Sequence, residues 1–138
     1  MDVENREYGV GDNSYQAAGA LEGLTRLVDQ FYDNMDQLAE FADIRGMHRE
    51  SLTESRQKLT YFLSGWLGGP RLYASHFGSI NIPQAHQHLT VGIERRDGWL
   101  ACMQLAIADQ PYEPAFKTYL IEQLAVPAER IRLTSVDP

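Results

Sequence analysis

Leu24-Thr25-Arg26-Leu27-Val28-Asp29-Gln30-Phe31-Tyr32-Asp33-Asn34-Met35 is the stretch that decides the fold. Leu24, Leu27, Val28, Phe31, Tyr32 and Met35 recur every three or four residues, so they share one face of a helix. Asp29, Gln30, Asp33 and Asn34 fill the opposite face. Upstream, Asn13 and Ser14 suit a helix start, and Gly19 breaks the short helix they open. Residues 1–12 read as a flexible lead-in. Downstream, Leu38 and Phe41 suggest a further turn or two, and Ile44 to His48 read as an irregular link.

Ser51-Leu52-Thr53-Glu54 fits a capping box, with Ser51 capping and Glu54 reaching back. The helix it opens carries Leu52, Ser55, Leu59, Phe62, Leu63 and Trp66 on one side, and Gly68-Gly69-Pro70 stops it. Leu72, Tyr73 and Phe77 suggest a short helical piece. Pro83 suits the first position of another, which Gly92 keeps short. A longer helix runs from about Ile93 to Asp109, with Trp99, Leu100, Met103, Ala106 and Ile107 as its apolar set. Pro111 and Pro114 mark a turn, and Phe116, Tyr119, Leu120 and Leu124 give a last helix. A polar tail is expected over 126–138. No segment shows a period of two. The class is therefore all-α, with four main helices in one domain over 13–125.

Bulk properties exclude several functions. The net charge of the 138 residues is −7, and nucleic acid or an anionic membrane surface needs a positive face. Cys102 is the only cysteine, so no internal disulfide forms and a reducing compartment is the natural reading. Residues 1–10 lack the apolar core of a signal peptide. The expectation is a soluble cytoplasmic domain.

Few residues offer chemistry on their own. Of the four histidines, His86 and His88 first look like a metal pair. Residues two apart on a helix point in nearly opposite directions, so at most one faces inward. There is no Cys pair, no H-E-x-x-H and no acidic calcium loop. Ser64 lies inside a helical pattern, not on a nucleophile elbow. Cys102 reads as a small packing residue. The glycines from 65 to 69 come without the Lys or Thr of a phosphate loop. Tyr32 and Trp99 stand out because each puts a hydrogen-bond donor on an apolar face. A packed core would accommodate both, and so would a ligand site.

The order of the features narrows the choice. Phe31-Tyr32 is followed by Met47-His48, then by Trp66-Leu67-Gly68-Gly69-Pro70-Arg71-Leu72-Tyr73. Ala85-His86 comes next, and then Glu94-Arg95-Arg96-Asp97-Gly98-Trp99-Leu100-Ala101-Cys102-Met103. Over about Tyr15 to Leu124 this resembles the group II truncated haemoglobins. The resemblance implies a shortened globin fold, a two-over-two helical sandwich around haem b. It implies that His86 is the proximal ligand to iron, and that Tyr32 and Trp99 are the distal donors, with Phe31 beside Tyr32. His48 falls at the corner before the distal helix, where the family places Tyr or His. Ser55 and Leu59 fall on that helix facing the iron, and Phe62 lies one turn on, against the haem. Lys58 is the first candidate for a propionate partner, with Arg71 and Tyr73 behind it.

Two positions depart from the family pattern. Ala18-Gly19-Ala20 offers one glycine where the family often has two, and Ala85 stands where a basic residue often precedes the proximal histidine.

The implied function is binding of oxygen and other diatomic ligands. The ligand of a ferrous haem carries partial negative charge, so donors aimed at it stabilise the bound state and slow release. That suits sensing or redox chemistry better than bulk oxygen transport. The alternative is an enzyme, a haem peroxidase or nitric oxide dioxygenase, which would need an external reductase. His48 adds a second alternative, as a sixth iron ligand in place of a distal donor. The expected assembly is a monomer or weak homodimer.

Overall fold

A computed structural model describes residues 7–48, 50–78 and 92–135. Seven α-helices are present among them: α1 Asn13–Ala17, α2 Ala20–Gln37, α3 Ala42–Gly46, α4 Thr53–Trp66, α5 Leu72–Phe77, α6 Ile93–Ala108 and α7 Pro114–Ser135. A 3-10 turn, Ala39–Phe41, leads into α3. No strand occurs among the described residues, in line with the all-α expectation.

The apolar stripe of α2 drives the packing. Leu24, Leu27, Val28, Phe31, Tyr32 and Met35 are all buried. Their burial removes apolar area from water at about 25 cal/mol per Å². α2 lies against both α4 and α6, and α6 packs on α7. Two helices thus cross two others, which is the two-over-two layering the sequence implies. No helix here is long and apolar enough to cross a membrane.

The Gly68-Gly69 turn is a contact, not merely a stop. Gly69 N–H donates to the Ser64 carbonyl at 2.8 Å, and Ser64 Oγ donates to the Pro70 carbonyl at 2.7 Å. The Tyr15 amide donates to the Leu67 carbonyl at 3.1 Å, which seats α1 on the turn. Ser64 is therefore a structural hydroxyl, buried and spent on backbone.

Several expectations need correcting. Ile44 is not in an irregular link; it lies in α3, where it is buried. Ser51 does not close a capping box in the expected way, because its Oγ accepts from the Thr53 amide at 3.4 Å. α7 does not stop near Leu124. It runs through Pro127 to Ser135, so most of the expected polar tail is helical. Proline removes its own N–H from the ladder and crowds the carbonyl four residues back, so the helix continues at a cost. Beyond it, Glu129 takes ion pairs from both Arg96 of α6 and Arg132. In the expected lead-in, the Tyr8 ring meets Phe116 edge-on at 5.2 Å and lies tilted 5.0 Å from Tyr119. Pro83, His86 and His88 lie outside the described residues.

The missing second glycine before α2 leaves a trace. Gly19 has φ 85° and Ala20 φ 57°, so an alanine takes a left-handed conformation. That costs an L-residue with a Cβ roughly 1–2 kcal/mol. Glycine would relieve it, less the entropy glycine adds to the unfolded chain. Ala20→Gly should therefore raise the unfolding free energy by about 0.5–1 kcal/mol. Urea denaturation checks this, and an unchanged or lower midpoint would count against strain at Ala20.

Candidate functional site

The site is built where α2, α4 and α6 meet. α2 contributes Phe31 and Tyr32, both buried; Tyr32 is 5% exposed. α6 contributes Trp99, half-buried against the core. The Phe31 ring meets Tyr32 edge-on at 4.9 Å and Trp99 edge-on at 5.1 Å. On the other side, the Tyr32 ring lies 5.7 Å from the His48 imidazole, at 80°. Trp99, Phe31, Tyr32 and His48 thus form one continuous aromatic group, joining four residues that lie as much as 68 positions apart. His48 is held by a 2.8 Å hydrogen bond between its Nδ1 and the Ile44 carbonyl, a product of the α3 turn.

α4 presents two stripes where one was expected. Thr60, Leu63, Ser64 and Leu67 are buried against α2. Ser55, Leu59, Phe62 and Trp66, spaced by three and four, form a neighbouring stripe that is only half-covered. Leu63 belongs to the first stripe and not, as expected, to the second. Phe62 and Trp66 stack with centroids 6.1 Å apart.

Burial pushes the pKa of the Tyr32 phenol well above its ordinary value, against a smaller opposing pull from Arg56. Tyr32 therefore keeps its proton and is a donor at any physiological pH. Among the described residues, neither its hydroxyl nor the Trp99 indole N–H makes a hydrogen bond. Buried polar groups are normally satisfied. The hydroxyl of buried Tyr32 and the N–H of half-buried Trp99 are open to a polar ligand that is not protein, and the half-covered apolar stripe of α4 fits a flat apolar group such as haem. Cys102, one turn beyond Trp99, is fully buried, with its Sγ 3.3 Å from the Phe31 carbonyl. Burial pushes its thiol up to about 12, so it is inert packing.

The remaining candidates sit further out. Lys58 Nζ pairs with Glu54 at 2.8 Å and lies 5.4 Å from the Phe77 ring centroid. Arg71 is exposed at the start of α5, and Tyr73 packs on Phe77 at 5.1 Å. Lys58 and Tyr73 thus meet at Phe77, the last residue of α5, whereas Arg71 caps its start beside Gly65. His86 lies outside the described residues. Arg56 escaped the sequence reading. It reaches from α4 to Asp29 and Asp33, with its guanidinium carbon 5.8 Å from the Tyr32 ring centroid. The only local signal for it was the Asp29-x-x-x-Asp33 spacing on α2.

Within the Glu94-Arg95-Arg96-Asp97 run, both arginines and Asp97 form ion pairs. Arg95 grips Asp43 of α3 at 2.9 and 3.2 Å, holding its carboxyl below the usual carboxylate range. Arg96 bridges Asp97 and Glu129.

Comparisons with known proteins bear on the family and the fold. Residues 13–132 match the model of the family described as bacterial-like globin. The group 2 truncated hemoglobin YjbI of Bacillus subtilis (strain 168) is 32% identical over 117 residues, covering 85% of this chain and 86% of that protein. The cold-adapted truncated hemoglobin from the Antarctic marine bacterium Pseudoalteromonas haloplanktis TAC125 superposes with a TM-score of 0.82 at 28% identity, over 86% of this chain and 95% of that one. A structure described as truncated oxygen-avid haemoglobin from Bacillus subtilis gives 0.77 at 30% identity, over 86% and 97%.

Proposed function

The chain belongs to the bacterial-like globins, as a group II truncated haemoglobin, and on that premise we propose that it binds oxygen at haem b held by His86, with Tyr32 and Trp99 donating to the ligand. Family membership implies the haem and a diatomic ligand. The finer reading rests on one observation above all, the pair of donors left without protein partners beside a half-covered apolar stripe. When bound, haem would supply an iron able to bind a small diatomic ligand. His86 would hold that iron through an imidazole nitrogen, a ligand type whose second ring nitrogen ordinarily donates to a backbone carbonyl or carboxylate. Tyr32 and Trp99 offer O–H and N–H to the ligand. Phe31 keeps the two rings in register and helps exclude water. Leu59 and Phe62 supply apolar contact, and Ser55 lines the helix toward the ligand. Lys58 is the first choice for a propionate, after release from Glu54. The relative described as oxygen-avid supports oxygen as the ligand.

Ultraviolet–visible spectra of the ferric, ferrous and ferrous–CO forms test this reading. The expected result is a Soret band that shifts on reduction and on CO addition. His86→Ala should abolish stable haem retention, with imidazole restoring part of the spectrum. Absence of a Soret band after reconstitution with hemin would remove the haem reading. An unchanged His86→Ala spectrum would remove His86.

A further inference from the structure

We infer that Arg56 is a positioning residue for the distal tyrosine: anchored by Asp29 and Asp33, its guanidinium holds the Tyr32 ring and strengthens its hydroxyl as a donor to the ligand. The inference rests on the reading of Tyr32 given above and adds a residue on another helix that acts through it.

Three contacts fasten the guanidinium to α2. Nη1 donates to the Asp29 carbonyl at 3.1 Å and to Asp29 Oδ1 at 3.2 Å, and Nη2 donates to Asp33 Oδ1 at 2.8 Å. Asp29 and Asp33 are one helical turn apart, so their carboxylates present adjacent acceptors to one planar fork. Tyr32 lies between them in sequence, and the charge ends 5.8 Å from its ring centroid. That is within range of a cation–π contact, which gains strength as water is excluded. The Arg56 side chain is 28% exposed and Tyr32 5%, so solvent screening is partial. Arg56 is also in register with Thr60, Leu63 and Leu67, the stripe of α4 that packs on α2. The same α4 carries Ser55 and Leu59 one residue and three residues away. The clamp therefore sets the distance between the ligand-facing stripe of α4 and the tyrosine of α2. A cation beside a phenol also draws its O–H bond toward ionisation, which makes a better hydrogen-bond donor. Lysine at this place would keep the charge but lose the two-pronged grip.

The test uses the haem-loaded protein and reads the C–O stretch of the ferrous–CO complex alongside the oxygen off-rate. The variants are Arg56→Met, Arg56→Lys and Asp33→Asn, each alone and with Tyr32→Phe. Arg56→Met should shift the C–O band to higher frequency and speed oxygen release about two- to tenfold, the range a cation over a partly buried ring carries. Arg56→Lys should recover part of both. In the Tyr32→Phe background, Arg56→Met should leave the band where Tyr32→Phe alone puts it. An equal shift in both backgrounds would overturn the inference, because the effect would then bypass Tyr32. An unmoved band in Asp33→Asn would overturn it even if Arg56→Met failed to fold. If Tyr32→Phe itself leaves the band and off-rate unchanged, the distal role of Tyr32 falls, and the inference with it.

Discussion

Oxygen should leave the ferrous Trp99→Phe protein about 10- to 150-fold faster than it leaves the unaltered one. The magnitude follows from one hydrogen bond to a charged partner, worth about 1.5–3 kcal/mol. Phenylalanine keeps the edge-on contact with Phe31 at 5.1 Å but has no N–H to offer. The change should fall mainly on release, since donor bonds form after the ligand has entered. Stopped-flow replacement of oxygen by CO measures it. An off-rate within twofold of the original would take Trp99 out of the ligand site. Tyr32→Phe should act in the same direction, and the double variant should expose whether the two donors share one acceptor.

Gly68→Ala should destabilise the fold by about 2–5 kcal/mol. Gly68 sits at φ +92°, and a Cβ there would lie 2.0 Å from the Gly11 carbonyl oxygen. The left-handed conformation alone costs roughly 1–2 kcal/mol, and displacing packed backbone adds about 1–3 kcal/mol more. The next residue is as confined, since a Cβ at Gly69 would enter the Tyr15 ring at 2.4 Å. The measurement is the urea midpoint of the haem-loaded protein. A loss below about 1 kcal/mol would show that the N-terminal segment moves aside at little cost. The turn is remote from Tyr32 and Trp99, so the surviving folded fraction should keep its spectrum.

The legible parts of the fold were those set by local periodicity. The α2 stripe could be read in full because every position on it faces protein. α4 could not, because hydropathy does not distinguish a side chain that faces a helix from one that faces a ligand. Leu63 and Phe62 look alike in sequence, yet one is sealed against α2 and the other half-covered. Local rules also misplaced the end of α7. Pro127 signals a stop, but ion pairs from Arg96 and Arg132 to Glu129 fasten the chain beyond it. α3 was lost because five residues ending in glycine carry too little pattern. Within the site, Phe31, Tyr32, Trp99 and His48 were found through the family resemblance and are brought together by the fold. Arg56 was not, since its partners lie 23 and 27 residues away on another helix.

The hydrogen bond at His48 also decides where a proton sits. A carbonyl oxygen only accepts, so Nδ1 must carry the hydrogen in its bond to Ile44. A neutral imidazole has just one such hydrogen, which leaves Nε2 with a lone pair. On that side the neutral ring is a Lewis base and becomes a donor only as the imidazolium. Donor to a ligand and ligand to a metal would therefore call on different charge states of this imidazole. Those two states belong to one tethered ring and are separated by a single proton.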